Sequence, residues 1–233
     1  MHNGLMIIKK TLPILICLLV NQLMYSQTCE NISPYKEGMY LEYTNFNKKG
    51  KIKSIENHFI ESVTNNDGNL TINIKSTEGK DSNSTRRYIL KCINGNFYVD
   101  MANYTTLQNE NQKGSMQIKA TGDFLEFTDE MTVGTILENG NIDLEIGTQD
   151  SFASIASMKV LNRKVLENNS FTIKAGTFDG YKISFDYVFN LGIVKFRGSG
   201  IEWYVEGIGI VRTENYSKKG KLRESRELTK IYN

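Results

Sequence analysis

Few residues in this chain have the chemistry for catalysis, and their spacing decides what they could do. Of two histidines, His2 lies in a leading segment and His58 lies in the body, in I55-E-N-H-F-I-E-S62. Phe59 and Val63 recur there with strand spacing, so His58 reads as a solvent-facing strand residue. A Ser-His-Asp or Cys-His arrangement would have to use it. Neither Cys29 nor Cys92 has the surroundings of a nucleophile. A structural zinc site is disfavoured, because thiol and imidazole ligands number at most three and two of them pair better with each other. No metal and no cofactor is expected.

Carboxylates are more plentiful. Glu126, Asp129 and Glu130 cluster in L-E-F-T-D-E-M, Asp143 and Glu145 in N-I-D-L-E-I-G, and Glu202 and Glu206 alternate on one segment. Glycoside hydrolysis needs two carboxyl groups about 5–10 Å apart across a cleft. Glu202 and Glu206, four residues apart on a strand, would stand roughly 13 Å apart at about 3.3 Å per residue. The acids therefore read as solvated outer faces of strands, and no catalytic residue is assigned. Asp143 and Glu145 lack the spaced oxygen-rich loop of an EF-hand. G207-I-G-I-V211 lacks the later glycine and the strand-to-helix setting of a phosphate loop.

Aromatic residues are the remaining lead: 12 Tyr, 11 Phe and one Trp. Trp203, Tyr181, Phe185 and Phe189 are the candidates to line a cavity for an apolar ligand. The competing reading is that they fill a core.

The elements that would position these residues are strands. Tyr181, Ile183, Phe185, Tyr187 and Phe189 alternate with polar residues, as do Leu70, Ile72 and Ile74, and Ile201, Trp203 and Val205 alternate with Glu202 and Tyr204. Period two is the mark of half-buried antiparallel strands. Turn signals recur at N66-D-G-N69, N94-G-N96, E138-N-G-N141, F178-D-G180 and G198-S-G200. The best helical candidate, S151-F-A-S-I-A-S-M158, is short. Residues 108–115 read as a flexible loop. The change from odd apolar positions (Ile201, Trp203, Val205) to even ones (Ile208, Ile210) predicts a bulge or bend at Gly207 or Gly209. The expectation is an all-β chain of about a dozen strands, its antiparallel curved sheet forming a barrel or half-barrel, with a two-sheet sandwich as the alternative.

Residues 1–27 read as a secretory signal peptide: Lys9 and Lys10, an apolar stretch from Leu12 to Val20, then Ser26 and Gln27. Met6 is an alternative start. Residues 28–233 then form one antiparallel β domain. Of 28 basic residues two leave with the leader, and none of the 26 acids does, so the mature chain is close to neutral. That balance argues against nucleic acid as a partner. Cys17 also leaves. The remaining even pair in an exported chain predicts a Cys29–Cys92 disulfide, two buried thiols being the alternative. Ser26-Gln27-Thr28 before Cys29 suits lipidation poorly.

K174-A-G-T-F-D-G-Y-K-I-S-F185 followed by E202-W-Y-V-E-G-I-G-I-V-R-T-E-N-Y-S-K-K-G-K-L-R-E-S-R-E-L-T-K-I231 resembles exported bacterial proteins of the DUF3108-like group, also labelled the TapB family, of Bacteroidota. Cys29 and Pro34, Y98-V-D-M101 and M131-T-V-G134 agree with it. The resemblance implies an antiparallel β fold and an envelope location, periplasmic or at the cell surface. It brings no catalytic residues. The resulting expectation is a non-enzymatic envelope protein binding a partner protein or an apolar ligand. The alternatives are a structural or secretion-associated component and a carboxylate-based hydrolase acting on envelope glycans.

Two further stretches match each other: N47-K-K-G-K51 and S217-K-K-G-K221. Each follows an aromatic strand pattern and precedes a charged one. They read as two hairpin tips, Gly50 and Gly220 supplying the positive φ, and the two hairpins are expected to lie side by side in one curved sheet.

Overall fold

The computed structural model describes residues 29–79, 85–104, 117–148 and 151–232. The leader and the loop expected over 108–115 lie outside the described residues. A short helix α1 (Cys29–Ile32) precedes β1 (Tyr40–Asn47), β2 (Ile52–Asn66), β3 (Asn69–Glu78), β4 (Thr85–Ile93) and β5 (Asn96–Asp100). A 3₁₀ turn (Met101–Tyr104), β6 (Gln117–Gly122), β7 (Phe124–Phe127), β8 (Ile136–Leu137) and β9 (Gly140–Thr148) follow. The long strands come last: β10 (Ser151–Ile173), β11 (Gly176–Leu191), β12 (Val194–Val205), β13 (Gly209–Ser217) and β14 (Leu222–Tyr232).

All of these strands belong to one 14-stranded sheet in the order β6-β9-β10-β11-β12-β13-β14-β1-β2-β3-β4-β5-β7, with β8 against β10. The two outermost strands, β6 and β7, are consecutive in sequence with only Asp123 between them. The sheet must therefore curl until its edges approach. Asp123 marks the meeting point: its N–H donates to Asn141 O of β9 (2.8 Å) and its carbonyl accepts from Met101 N beyond β5 (3.1 Å). The result is a sheet nearly closed into a barrel, which leaves little open edge to pair with other chains.

Hairpin chemistry explains the tightest reversals. Asp67-Gly68 and Asn94-Gly95 take positive φ, as the Asn-Gly and Asp-Gly signals predict. Gly50 and Gly220 do so as well, at φ 73° and 70°. Strand β14 pairs with β1, so the two lysine-rich hairpins are neighbours in the sheet.

Four local expectations fail for physical reasons. F178-D-G180 and G198-S-G200 are not turns but interior parts of β11 and β12. Their glycines leave room for neighbours: a Cβ on Gly200 would run into the Phe185 ring, and one on Gly180 into the Tyr204 carbonyl. The helical candidate S151-F-A-S-I-A-S-M158 opens β10, because pairing with β9 and β11 overrides its weak propensity. Gly207 and Gly209 do not bend one strand. They serve the reversal between β12 and β13, and the bulge lies at Trp203/Tyr204. Finally, β12 buries the face opposite to the expected one. Glu202 and Tyr204 point inward, while Trp203 is half-buried beside Lys182 on the other side.

The inner face changes character along the barrel. Ile60, Ile72, Ile74, Leu90, Ile183, Val211 and Leu228 form an apolar core. Towards the end that carries the lysine turns the same inner face becomes polar. There Glu202 stands opposite Thr213, Thr213 opposite Arg226, and Arg226 opposite Asn45.

Candidate functional site

That polar layer surrounds a cleft of about 140 Å³, walled by Glu56, Arg86, Asn103, Tyr104, Thr213 and Arg226 among others. Strands β1, β2, β4, β13 and β14 and the 3₁₀ turn each supply part of it. The volume suits a small polar group. Drug-sized ligands occupy roughly 300–1,000 Å³.

His58 is wholly buried here, a correction to its expected solvent-facing place. A bulge between Ile60 and Ser62 in the β2–β3 pairing changes the parity, so Phe59 and Val63 do not share a face and His58 aligns with Ile60. Its ring is fixed at both nitrogens. Nδ1 lies 2.7 Å from the Tyr88 hydroxyl, and Nε2 lies 3.0 Å from both the acceptor Glu56 Oε2 and the donor Arg226 Nη2. Ser76 Oγ lies 3.2 Å from Nε2. A Ser-His-acid triad needs the acid on the nitrogen opposite the serine. Here Glu56 and Ser76 share one nitrogen and a phenol holds the other.

Glu56 is the hub. Arg86 Nη2 donates to its Oε2 at 2.7 Å, Arg226 Nη2 stands 3.3 Å from the same oxygen, and Asn45 Nδ2 donates to Oε1 at 2.7 Å. Burial alone would push the Glu56 carboxyl up, but Arg226, the His58 hydrogen bond and Arg86 outweigh it and hold the group well below the usual carboxylate range. Burial brings the His58 imidazole down to about 3, against the pull of its Glu56 hydrogen bond, so it is neutral at physiological pH. Burial also raises the Tyr88 and Tyr43 hydroxyls. The Arg226 guanidinium packs 3.9 Å from the centre of the Tyr43 ring.

These shifts fix a pH dependence. Folded His58 titrates at about 3, below the ~6.5 of an unfolded histidine. The unfolded chain therefore takes up the proton first, and stability falls as pH drops through that window. Glu56 acts with the same sign lower down: its contribution is present above the unfolded carboxyl pKa of about 4.3 and is lost as pH falls further. Urea denaturation is expected to show a loss of about 1 kcal/mol per pH unit below roughly pH 6. His58→Gln should flatten the upper part of that slope.

A second buried ion pair adjoins the cleft through Tyr104, whose hydroxyl donates to Glu202 Oε2 at 2.8 Å. Arg163 Nη2 stands 3.5 Å from Glu202 Oε1, and its Nη1 donates to the carbonyls of Glu126 and Glu138. The Arg163 guanidinium lies 4.5 Å from the centre of the Phe127 ring, which stacks on Tyr204. Burial pushes the Glu202 carboxyl up, against Arg163 and Tyr104. Glu202 thus departs from the expected solvated acid. Glu206 sits in the reversal after β12, away from Glu202's inward-facing position.

The four aromatic candidates divide. Tyr181, Phe185 and Phe189 share the inner face of β11; Phe185 fills the space over Gly200, and Tyr181 meets Tyr204. Trp203 is on the opposite face, between the Lys182 and Arg212 cations. Cys29 and Cys92 form a disulfide, tying α1 to β4. Among the described residues, no group of three or more His, Cys, Asp or Glu could hold a metal ion. None of their helices is long and apolar enough to cross a membrane. The cleft residues Glu56, Arg86, Asn103 and Arg226 escaped the sequence reading. Only the inward register identifies them, since polar residues on a half-polar inner face break the alternation that marks burial.

The nearly closed antiparallel barrel with a polar inner end defines the class of protein. The family model described as DUF3108-like matches residues 36–228, and the chain belongs to that family. No curated protein matches it. Two solved structures share its fold. One is a candidate exported protein with a YmcC-like fold from Bacteroides fragilis NCTC 9343, at TM-score 0.73 and 20% identity over 87% of this chain and 99% of that one. The other is a candidate lipoprotein from Parabacteroides distasonis ATCC 8503, at TM-score 0.70 and 20% identity over 86% of this chain and 97% of that one. At that identity the likeness is one of fold.

Proposed function

We propose that this protein is an exported, non-enzymatic component of the bacterial envelope whose cleft binds a small hydroxyl-bearing anion, free or as part of a larger partner. The leader pattern, together with the description of one fold relative as exported and the other as a lipoprotein, supports export. One observation carries the binding role. Arg226 Nε and Asn103 Oδ1 are buried, belong to residues of the cleft wall and have no hydrogen-bond partner. Buried polar atoms are rarely left so. The first needs an acceptor and the second a donor, which a hydroxy acid supplies together. Arg226 brings positive charge to the wall, and Glu224 there is already matched by Lys53 at 3.1 Å.

A hydrolase reading is weaker. Glu56, the acid at the centre of the wall, is held ionised between guanidinium groups, and Glu202 is not on the wall. An apolar ligand is also weaker, given the polar lining and small volume. Isothermal titration with D-glucuronate, with D-glucose and acetate as controls, tests the proposal. Glucuronate should bind more tightly than either control, and Arg226→Met should weaken it at least about tenfold, the scale of a charged hydrogen bond. Equal heats for the three compounds, or unchanged affinity in the variant, would count against it.

A further inference from the structure

We infer that the end of the barrel carrying the two lysine turns docks on an anionic membrane surface. The turns are built alike. Gly50 N donates to Asn47 O and Asn47 N to Lys51 O, as Gly220 N does to Ser217 O and Ser217 N to Lys221 O. The register sets Asn47 opposite Glu224 and Glu224 opposite Asn215, so both turns stand side by side on one rim. They place Lys48, Lys49, Lys51, Lys218, Lys219 and Lys221 together, all exposed.

Antiparallel order sends the β11–β12 reversal to the same rim. That hairpin overhangs its neighbour. Pairing of β12 with β13 stops at Gly198↔Ser217, whereas β11 and β12 stay paired to Leu191↔Val194. At about 3.3 Å per residue, residues 194–197 project roughly 13 Å beyond β13. The projection is apolar where it matters: Ile193 at its tip is fully exposed, and Leu191, Val194 and Phe196 are exposed on the inner face behind it. Lys195 and Arg197 alternate on the outer face. Exposed apolar residues grouped at one tip and ringed by basic ones are the pattern of an interfacial anchor. The apolar tip enters the headgroup layer while lysines meet anionic headgroups. The tight reversals of the opposite end carry Asp67 and Glu206 with a single lysine, Lys174. The surface adjoins the cleft, but neither the turn lysines nor residues 191–197 line it, so the two are testable apart.

The test is co-sedimentation of the exported protein with vesicles of phosphatidylglycerol and phosphatidylethanolamine, against vesicles of phosphatidylcholine alone. Binding to the anionic vesicles should be at least about tenfold stronger and should fall with added salt. Ile193→Asp with Phe196→Asp should abolish it, and Lys48→Glu, Lys49→Glu, Lys218→Glu and Lys219→Glu together should weaken it by about tenfold or more, with the melting temperature unchanged. Arg226→Met should leave it intact. Equal binding to both vesicle types, indifference to the tip and lysine variants, or loss through Arg226→Met alone would overturn the inference. So would sedimentation velocity showing that Ile193→Asp dissolves a dimer while vesicle binding persists, since the tip would then be covered by a second copy.

Discussion

Glu56→Gln is expected to destabilise the protein by about 3–5 kcal/mol, the cost of breaking a buried ion pair from one side. The residue is buried, and its carboxylate faces Arg86, Arg226 and the His58 ring within 3.3 Å. Neutralising it takes the ion-pair partner from Arg226 and the carboxylate at 2.7 Å from Arg86, in a low-dielectric layer. In a chain of this size such a loss lowers the melting temperature by roughly 10 °C. The control is Glu56→Leu combined with Arg86→Met and Arg226→Met. Replacing a whole buried ionic group with apolar residues is often neutral or stabilising, so the triple variant should regain much of the loss while losing anion binding. A Glu56→Gln protein melting within about 1 kcal/mol of wild type would show that water, not Glu56, neutralises the guanidinium groups.

Removing the disulfide, by Cys29→Ser with Cys92→Ser, is expected to cost about 4 kcal/mol on the chain-entropy model for a loop of this length. The bridge joins residues 63 apart and fastens α1 to the end of β4. The same segment is also held without it: the Tyr35 hydroxyl donates to Ile208 O at 2.7 Å, and Ser33 Oγ to Gly207 O at 3.4 Å. The folded state should therefore survive with its barrel intact, and the loss should appear as a lower urea midpoint with an altered slope, because the denatured chain is no longer cross-linked. An unchanged midpoint would mean that residual contacts already confine this segment in the denatured chain.

Period-two alternation is a local signal and survived in the fold, as did the turns at Asp67-Gly68 and Asn94-Gly95. Asn139-Gly140, by contrast, leads from β8 into β9 along β10 without a reversal. The pairing of the two lysine hairpins survived too, because shared flanking patterns placed them at the first and last reversals of one curved sheet. What failed was parity. A bulge shifts the face of every later residue: the one between Ile60 and Ser62 moves Val63 off the face of Phe59, so those two could not mark the face opposite His58. In β12 the buried Glu202 had an apolar neighbour, Trp203, that looked like the better core residue. Glycine misled for a related reason: Gly180 and Gly200 are needed for close packing against rings and backbone, which in sequence looks the same as a need for positive φ. The cleft was illegible because its parts lie on five strands and one turn, and each polar residue alone resembles a solvated one. Glu56, Arg86 and Arg226 become a site only when the register sets them on one inner wall.

The most direct test of the binding account is ¹H–¹⁵N spectroscopy of arginine side chains during titration with D-glucuronate. The Arg226 Nε–H resonance is expected to move as the anion binds, with the Asn103 side-chain amide moving at the same concentration. Arg163, closed in behind Tyr104 and Glu202, should stay still. A titration in which Arg226 and Asn103 do not respond, and only the exposed lysine turns do, would contradict it.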